Sequence, residues 1–122
     1  MAELVEEYMK DAPGMVRMYP GTLYVRHAID YINDHYSEKI RISDMATHIG
    51  VNRSYLTSSF KKATGYSPQE YLILLRMEKA AELLKKTDLS VNDVAASVGY
   101  GDQIGFSKIF KQYYGASPKA FR

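Results

Sequence analysis

Cysteine is absent from this sequence of 122 residues, which excludes disulfide bonds and thiolate metal sites and fits a reducing compartment. No apolar run approaches the ~20 residues that a membrane-spanning helix needs. The start of the chain carries Glu3, Glu6 and Glu7 where a secretion signal would have basic and apolar regions. We therefore expect a soluble, cytoplasmic protein that has no membrane partner.

Motifs of catalysis and cofactor binding are also missing. The three histidines, His27, His35 and His48, are scattered along the chain. They belong neither to a Ser/His/Asp catalytic pattern nor to an HExxH metalloprotease motif. The segment Gly99-Tyr100-Gly101 does not follow the strand that a dinucleotide-binding loop requires. We predict no catalytic residues, no cofactor, no metal site and no enzyme activity.

Basic residues are scarce in the first third of the chain and frequent after it. Residues 1–38 hold three basic and seven acidic side chains, a net charge of −4. Residues 39–122 hold 13 basic and seven acidic side chains, a net charge of +6. The second region therefore has the charge that a phosphate-binding surface requires.

Apolar residues recur at helical spacing, and the alternation typical of strands is absent, so the sequence predicts an all-α fold. The first regular helix is expected to begin near Thr22 and to direct Val25, Ile29, Ile32 and Tyr36 towards a core.

The first 21 residues differ from the rest. Residues 4–10 have the pattern of a short helix, but Ala12-Pro13-Gly14 ends it and Tyr19-Pro20-Gly21 marks a second break. We interpret residues 1–21 as a linker or as the tail of an upstream domain.

Two segments of the basic region repeat one another. Residues 42–50 align with residues 91–99, and residues 52–68 align with residues 102–118. The second copy carries one extra residue in its turn, around Tyr100 and Gly101. A helical repeat of about 50 residues indicates one supersecondary unit used twice.

Each copy has the parts of a helix-turn-helix. Gly50 and Gly99 can end the first helix with a left-handed residue, and Asn52 and Asp102 can cap the second helix. Ser90 with Asp93 resembles a capping box, whereas Arg41 stands where a cap would be expected. The apolar residues expected to face the core are Ile42, Met45, Ala46, Ile49, Leu56, Phe60, Val91, Val94, Ala95, Val98, Phe106, Ile109 and Phe110.

A long helix is predicted between the copies. Ser67-Pro68-Gln69-Glu70 combines a capping box with a proline at the first helical position, and the apolar pattern continues to about Lys86. Some 20 residues at 1.5 Å each span about 30 Å. Equivalent faces of B-DNA recur every ~34 Å, so such a helix could hold two helices over successive major-groove segments.

The sequence resembles the DNA-binding domain of the AraC/XylS family of transcription regulators over roughly residues 22–122. The residues that carry the resemblance are Ile42-Ser43-Asp44-Met45-Ala46, Tyr55-Leu56, Phe60-Lys61-Lys62, Gly65-Tyr66-Ser67-Pro68, Tyr71-Leu72, Leu75-Arg76, Ala80, Leu83-Leu84, Val98-Gly99-Tyr100, Asp102-Gln103, Phe106-Ser107-Lys108-Ile109-Phe110-Lys111, Tyr114-Gly115 and Ser117-Pro118.

The resemblance implies about seven helices, with two helix-turn-helix subdomains joined by a long central helix. The expected parts are a first unit at 22–66, a linking helix at 67–87 and a second unit at 88–122. It implies a sequence-specific regulator, most often an activator, that binds double-stranded promoter DNA. RNA polymerase and an effector-binding domain upstream of this chain are the further partners that it implies.

The second helix of each motif, called here the reading helix, supplies the predicted DNA contacts. Side chains that face away from the core near its N-terminal end are the candidates for base contact, because amide, basic, hydroxyl and apolar groups all have partners on base edges. These are Arg53, Ser54, Thr57 and Ser58 in the first motif and Gln103, Ile104, Ser107 and Lys108 in the second. The candidates for phosphate contact are Asn52, Lys61, Lys62 and Lys111.

Some features allow other interpretations. Arg76 is more readily a structural ion pair than a DNA contact, and Gly105 either permits a close approach to the DNA backbone or frays its helix. The family often carries a basic residue near Ser58, so the first motif is expected to read bases more weakly or through water. An all-α protein-interaction domain is an alternative function. An accessory domain of a DNA-repair enzyme is disfavoured, because no cysteine is available as nucleophile or zinc ligand.

Overall fold

A computed structural model describes residues 21–122. The short helix predicted at residues 4–10 and the first predicted break, at Ala12-Pro13-Gly14, lie outside these residues, as does most of the second break. Gly21 is described and accepts a hydrogen bond from the Val25 amide at 3.1 Å, which opens the first helix.

The described residues form seven helices and no strand, which confirms the predicted all-α class. They are α1 (Thr22–His35), α2 (Ile42–Ile49), α3 (Arg53–Thr64), α4 (Pro68–Lys86), α5 (Val91–Ser97), α6 (Gln103–Tyr114) and α7 (Pro118–Phe121).

These helices belong to two compact units. Within the described residues, unit 1 comprises residues 21–35 and Ile40–Leu74, and unit 2 comprises Tyr36–Lys39 and Leu75–Arg122. The helix α4 therefore begins in unit 1 and ends in unit 2. The segment Tyr36–Lys39 joins two helices of unit 1 but packs with unit 2.

The core of unit 1 forms where α1 packs on α2 and α3, and where α2 packs on α3. Phe60 is fully buried and meets Tyr71 edge-to-face, with ring centroids 5.5 Å apart. Small Ala46 is buried as well, as close approach of two helices requires. The predicted inward positions of unit 1 are buried, except that Ile49 is half-buried. Tyr36, also predicted to point inward, is half-buried and belongs to unit 2.

The core of unit 2 is built by α5 on α6 and by α6 on α7, together with the second part of α4. Phe106 and Phe110 are both 0% exposed, and Phe110 also meets Phe121 edge-to-face at 5.1 Å. The prediction that these phenylalanines form the core, and do not stack on bases, is confirmed. Val91 and Ile109, predicted to point inward, are only half-buried.

The helix starts follow the predicted capping chemistry. The side chain of Asn52 accepts a hydrogen bond from the Tyr55 amide at 2.7 Å, and Asp102 accepts one from the Gly105 amide at 2.6 Å. Each cap satisfies an amide that the helix itself leaves without a partner. Arg41 precedes α2 without a side-chain cap, as expected.

The start of α4 is a reciprocal capping box. The Ser67 amide donates to Oε1 of Glu70 at 2.9 Å, and the Glu70 amide donates to Oγ of Ser67 at 3.1 Å. The hydrogen bond from the Ser67 amide, followed by the one from its hydroxyl, lowers the pKa of the Glu70 carboxyl. The predicted opening of the long helix is therefore confirmed.

The two motifs turn at glycines. Gly50 and Gly99 adopt φ values of 95° and 98°, in the left-handed region that side-chain-bearing residues avoid.

Among residues 21–122, no helix has both the length and the apolar character needed to cross a bilayer.

Candidate nucleic-acid interface

The reading helix of the first motif is α3. Because Leu56 and Phe60 are fully buried, the opposite side of the helix faces solvent. Of the predicted base contacts, Arg53, Ser54 and Ser58 are exposed and Thr57 is half-buried. The four side chains lie in the first half of the helix.

The reading helix of the second motif is α6, and burial of Phe106 and Phe110 orients it in the same way. Gln103, Ile104 and Lys108 are exposed, and Ser107 is half-buried. Ile104 is 72% exposed, more than any other large hydrophobic side chain of the described residues. An apolar side chain so exposed at the start of a helix can contact a thymine methyl group.

The two sets of candidates occupy matching positions. In the repeat alignment Arg53 corresponds to Gln103, Thr57 to Ser107 and Ser58 to Lys108. Each set lies next to a helix N-terminus, where the helix dipole favours an anion such as a phosphate. The same scaffold thus presents two different sets of hydrogen-bonding groups.

The predicted phosphate contacts are all exposed. Lys61 and Lys62 lie in the second half of α3, and Lys111 lies at the matching place on α6. Asn52 caps α3 with its side-chain oxygen. Its side-chain amide nitrogen is therefore the group that would donate a hydrogen bond to a phosphate.

Gly105 lies inside the first turn of α6 without breaking it, since the helix continues from Gln103 to Tyr114. A Cβ atom on this glycine would lie 3.3 Å from both carboxylate oxygens of Asp102. The glycine therefore leaves room for the short cap hydrogen bond, which counters fraying.

Arg76 does not lie on either reading helix and is 8% exposed. Its Nε donates to the Tyr36 carbonyl at 2.8 Å, and its Nη2 donates to the Glu38 carbonyl at 2.7 Å. The expectation of a structural role is confirmed, but the acceptors found are backbone carbonyls and not the carboxylate of an ion pair. Sequence reasoning missed this arrangement, because carbonyl acceptors leave no trace in the residue pattern.

Comparison with known proteins places the chain among regulators. The model of the family described as "Helix-turn-helix domain" matches residues 45–122, more than half of the chain. The lactose operon transcription activator of Staphylococcus xylosus is 39% identical over 98 residues, which is 80% of this chain and 35% of that protein. The chain thus spans about a third of the length of the curated relatives it matches.

Solved structures share the fold. The C-terminal domain of AraT, a response regulator from Geobacillus stearothermophilus, superimposes with a TM-score of 0.79 and 39% identity, covering 81% of this chain and 83% of that domain. The DNA-binding domain of AdpA, solved in complex with a target DNA, gives a TM-score of 0.76 and 26% identity, covering 80% of this chain and 87% of that one.

The fold and the two exposed reading helices define a helix-turn-helix DNA-binding domain. Within that class, the chain belongs to the AraC/XylS family of transcription regulators. This family and the relatives are DNA-binding regulators and not enzymes, in agreement with the prediction for this chain.

Proposed function

We propose that this chain is the DNA-binding part of a longer transcription activator, and that it inserts α3 and α6 into successive major-groove segments of a promoter site. The observation that carries the proposal is the matched pair of exposed faces on two capped helices of one chain. The name of the Staphylococcus xylosus relative, a transcription activator, supports the direction of regulation.

The chemistry of the two faces supports direct reading of bases. An arginine such as Arg53 can bind guanine with two hydrogen bonds, and Gln103 can bind adenine in the same way. Lys108 favours guanine, and the hydroxyls of Ser54, Thr57, Ser58 and Ser107 have partners on several bases. We assign the base contacts to these side chains and to Ile104.

Phosphate contacts would orient the reading helices on the duplex. Lys61, Lys62 and Lys111 are exposed beyond the base-contact positions, and Asn52 adds a neutral donor at the start of α3. Such contacts supply affinity but little sequence preference. We assign the phosphate contacts to these four residues.

A single duplex can engage both helices if α4 spaces them suitably. This helix has 19 residues and is therefore about 28 Å long, close to the ~34 Å repeat of B-DNA. We retain the division into a first unit at 22–66, a linking helix at 67–87 and a second unit at 88–122. Residues 1–21 would then lead from an upstream effector-binding domain, and RNA polymerase would be a partner at the promoter in the cytoplasm.

Selection of binding sites from a random DNA pool tests the proposal. We expect two short boxes whose centres lie about 10.5 base pairs apart, one helical turn. Enrichment of a single box, or of no sequence, would contradict the proposal.

The salt dependence of binding separates this function from a protein-interaction domain. Each phosphate neutralised by a lysine contributes a slope of about −0.9 to the plot of log affinity against log salt concentration, so three lysines give about −2.7. The triple variant of Lys61, Lys62 and Lys111 to Gln should bind the selected site with a slope smaller by about that amount. A slope equal to that of the wild type would show that these lysines do not contact phosphates.

A further inference from the structure

Tyr100, in the turn of the second motif, contacts two other elements of unit 2 through its ring. The ring centroid lies 5.2 Å from the guanidinium carbon of Arg76 on α4 and 5.6 Å from the ring centroid of Phe106 on α6. The hydroxyl of Tyr100 is buried and makes no hydrogen bond within residues 21–122. The ring, and not the hydroxyl, therefore makes the contacts that join the turn to α4 and α6.

The guanidinium of Arg76 is itself held in place within unit 2. Its Nε and Nη2 donate to the carbonyls of Tyr36 and Glu38 at 2.8 Å and 2.7 Å, and the side chain is 8% exposed. Both carbonyls belong to the part of unit 2 formed by Tyr36–Lys39. A planar cation stacks on aromatic faces, so a guanidinium fixed by two hydrogen bonds gives the Tyr100 ring one preferred place to pack.

The backbone of this turn is anchored to α5 in the same way as the turn of the first motif is anchored to α2. The Tyr100 amide donates to the Ala95 carbonyl at 2.9 Å, and the Val51 amide donates to the Ala46 carbonyl at 3.0 Å. In the repeat alignment Tyr100 takes the place of Val51, and Gly101 is the residue that the first motif lacks. Between the turning glycine and the cap, the two motifs thus differ in one side chain and in one added glycine.

The added glycine lengthens the path from α5 to the reading helix. Gly101 is exposed and stands between Tyr100 and Asp102, the cap of α6. A longer turn that contains glycine restricts the next helix less, because glycine has more conformational freedom than any other residue. The contacts of the Tyr100 ring with Arg76 and Phe106 restrict the start of α6 where the backbone alone restricts it less.

We propose that Tyr100, held by Arg76, is a positioning residue that fixes the start of α6 within unit 2, and so determines how sharply α6 distinguishes between bases. The DNA part of this inference rests on the proposed function. The base contacts assigned to Gln103 and Ile104 follow soon after Tyr100, and such contacts require placement to within about 0.5 Å. Tyr100 itself contacts no DNA in this account. Its loss should therefore weaken discrimination between bases and leave binding to phosphates unchanged.

The first test measures base discrimination in the box that α6 reads, identified as the box whose preference changes in Gln103→Ala. The wild type should bind the selected box at least about fivefold more tightly than duplexes in which one of its preferred bases is replaced. Tyr100→Leu, which exchanges the ring for an aliphatic group, should reduce this ratio to below about twofold. Its preference in the box read by α3 and its affinity for unrelated DNA should match the wild type within about twofold.

Two further variants of unit 2 are the controls. Tyr100→Phe keeps the ring and should keep the wild-type ratio. Leu84→Ala removes a side chain of α4 that is 2% exposed, which lowers the stability of unit 2. At a temperature where circular dichroism shows it folded, Leu84→Ala should also keep the ratio.

Wild-type discrimination in Tyr100→Leu would overturn the inference. Equal weakening of Tyr100→Leu on selected and unrelated DNA would do the same, since that result indicates general damage to the protein. Loss of discrimination in either control would also overturn it, because the cause would then be the hydroxyl or stability in general.

The second test needs no DNA and therefore separates this inference from the proposed function. Residual dipolar couplings of the backbone amides, measured by NMR, give the angle between α5 and α6, which both belong to unit 2. Tyr100→Leu should change this angle by at least about 10°, the tolerance within which a binding group has to be held. Tyr100→Phe and Leu84→Ala should keep the wild-type angle. An unchanged angle in Tyr100→Leu overturns the positioning role, whereas failure to select two boxes contradicts only the proposed function.

Should Tyr100→Leu lose its helical circular dichroism, Arg76→Lys replaces it in both tests, since this change keeps the positive charge and removes the planar group that stacks on the ring. A changed angle between α5 and α6 together with weaker base discrimination would support the inference. Wild-type behaviour of Arg76→Lys in both tests would overturn it.

Discussion

The two motifs share one scaffold but differ in the side chains that their reading helices expose and in the capping of their first helices. Reading helix α3 exposes Arg53 with hydroxyl side chains, whereas α6 exposes an amide, a lysine and the apolar Ile104. The first helix of the second motif is capped by Ser90, while Arg41 leaves α2 uncapped. The comparison teaches that the two copies of this unit keep their core and their turning glycine, and differ in turn length, on the exposed face and in the cap of the first helix.

The shared core is the part of the comparison that should be most sensitive to mutation. Phe60→Ala and Phe110→Ala each remove a fully buried ring at matching positions, and each should lower the free energy of unfolding by about 3–5 kcal/mol through the cavity that remains. Urea denaturation followed by circular dichroism measures both losses. A loss below about 1 kcal/mol in either variant would mean that the two cores are not equivalent.

The exposed faces should differ in their contribution to recognition. Lys108→Ala should cost on the order of 1–3 kcal/mol at the selected site and relax the preference for one base. The matching change Ser58→Ala should cost less, because a hydroxyl makes weaker or water-mediated contacts. Affinities for the selected site and for single-base variants of it measure both effects.

Unrelated DNA of the same length is the control for these two variants. If Lys108→Ala weakens binding to the selected and the unrelated duplex equally, the lysine contacts a phosphate and not a base. A larger loss for Ser58→Ala than for Lys108→Ala would reverse the proposed order of the two motifs.

The difference in capping can be exchanged between the motifs. Arg41 has the extended backbone of a cap residue, with φ −107° and ψ 130°, so Arg41→Ser should add about 1 kcal/mol of stability. Ser90→Ala should remove a similar amount, because the Asp93 amide loses its acceptor. Thermal melting of both variants measures the exchange. If Arg41→Ser does not raise the melting temperature and Ser90→Ala does not lower it, the caps do not distinguish the two motifs.

The smallest expected effect concerns the capping box of α4. Hydrogen bonds from Ser67 hold the pKa of Glu70 below its ordinary value of 4.5, so the carboxylate stabilises the fold above that pH. This contribution is lost as the pH falls through the lowered pKa. Glu70→Gln should therefore melt slightly below the wild type at neutral pH, and the difference should vanish in acid.

Asp88→Asn, which removes an exposed carboxylate outside the capping box, is the control for this series. A difference between the Glu70→Gln variant and the wild type that persists unchanged in acid would contradict a role for the charge of Glu70.

Much of the fold could be predicted from the sequence, because local signals agreed with one another. The caps at Asn52, Asp102 and Ser67 and the left-handed glycine Gly50 mark helix ends through chemistry that involves only neighbouring residues. The half-buried Val91 and Ile109 show where such reasoning becomes less accurate. Periodicity gives the side of a helix that faces the core, but the extent of burial depends on the elements packed against it.

The hydrogen bonds from Arg76 to the Tyr36 and Glu38 carbonyls could not be predicted, since they join residues about 40 positions apart in sequence. Nothing in the pattern around Arg76 distinguishes a carbonyl acceptor from a carboxylate. The contact of Arg76 with the Tyr100 ring, whose centroid lies 5.2 Å from the guanidinium carbon, could not be predicted from the pattern either. The roles of the exposed residues on α3 and α6 stay predictions, because their partners are bases and phosphates.

Protection of guanine N7 from methylation on the selected duplex tests most directly whether both reading helices enter one DNA molecule. We expect two clusters of protected guanines in the major groove, about one helical turn apart on the same face. Arg53→Ala should expose only the cluster read by α3, and Lys108→Ala only the cluster read by α6. A single protected cluster, or two clusters that both disappear with either substitution, would contradict the account.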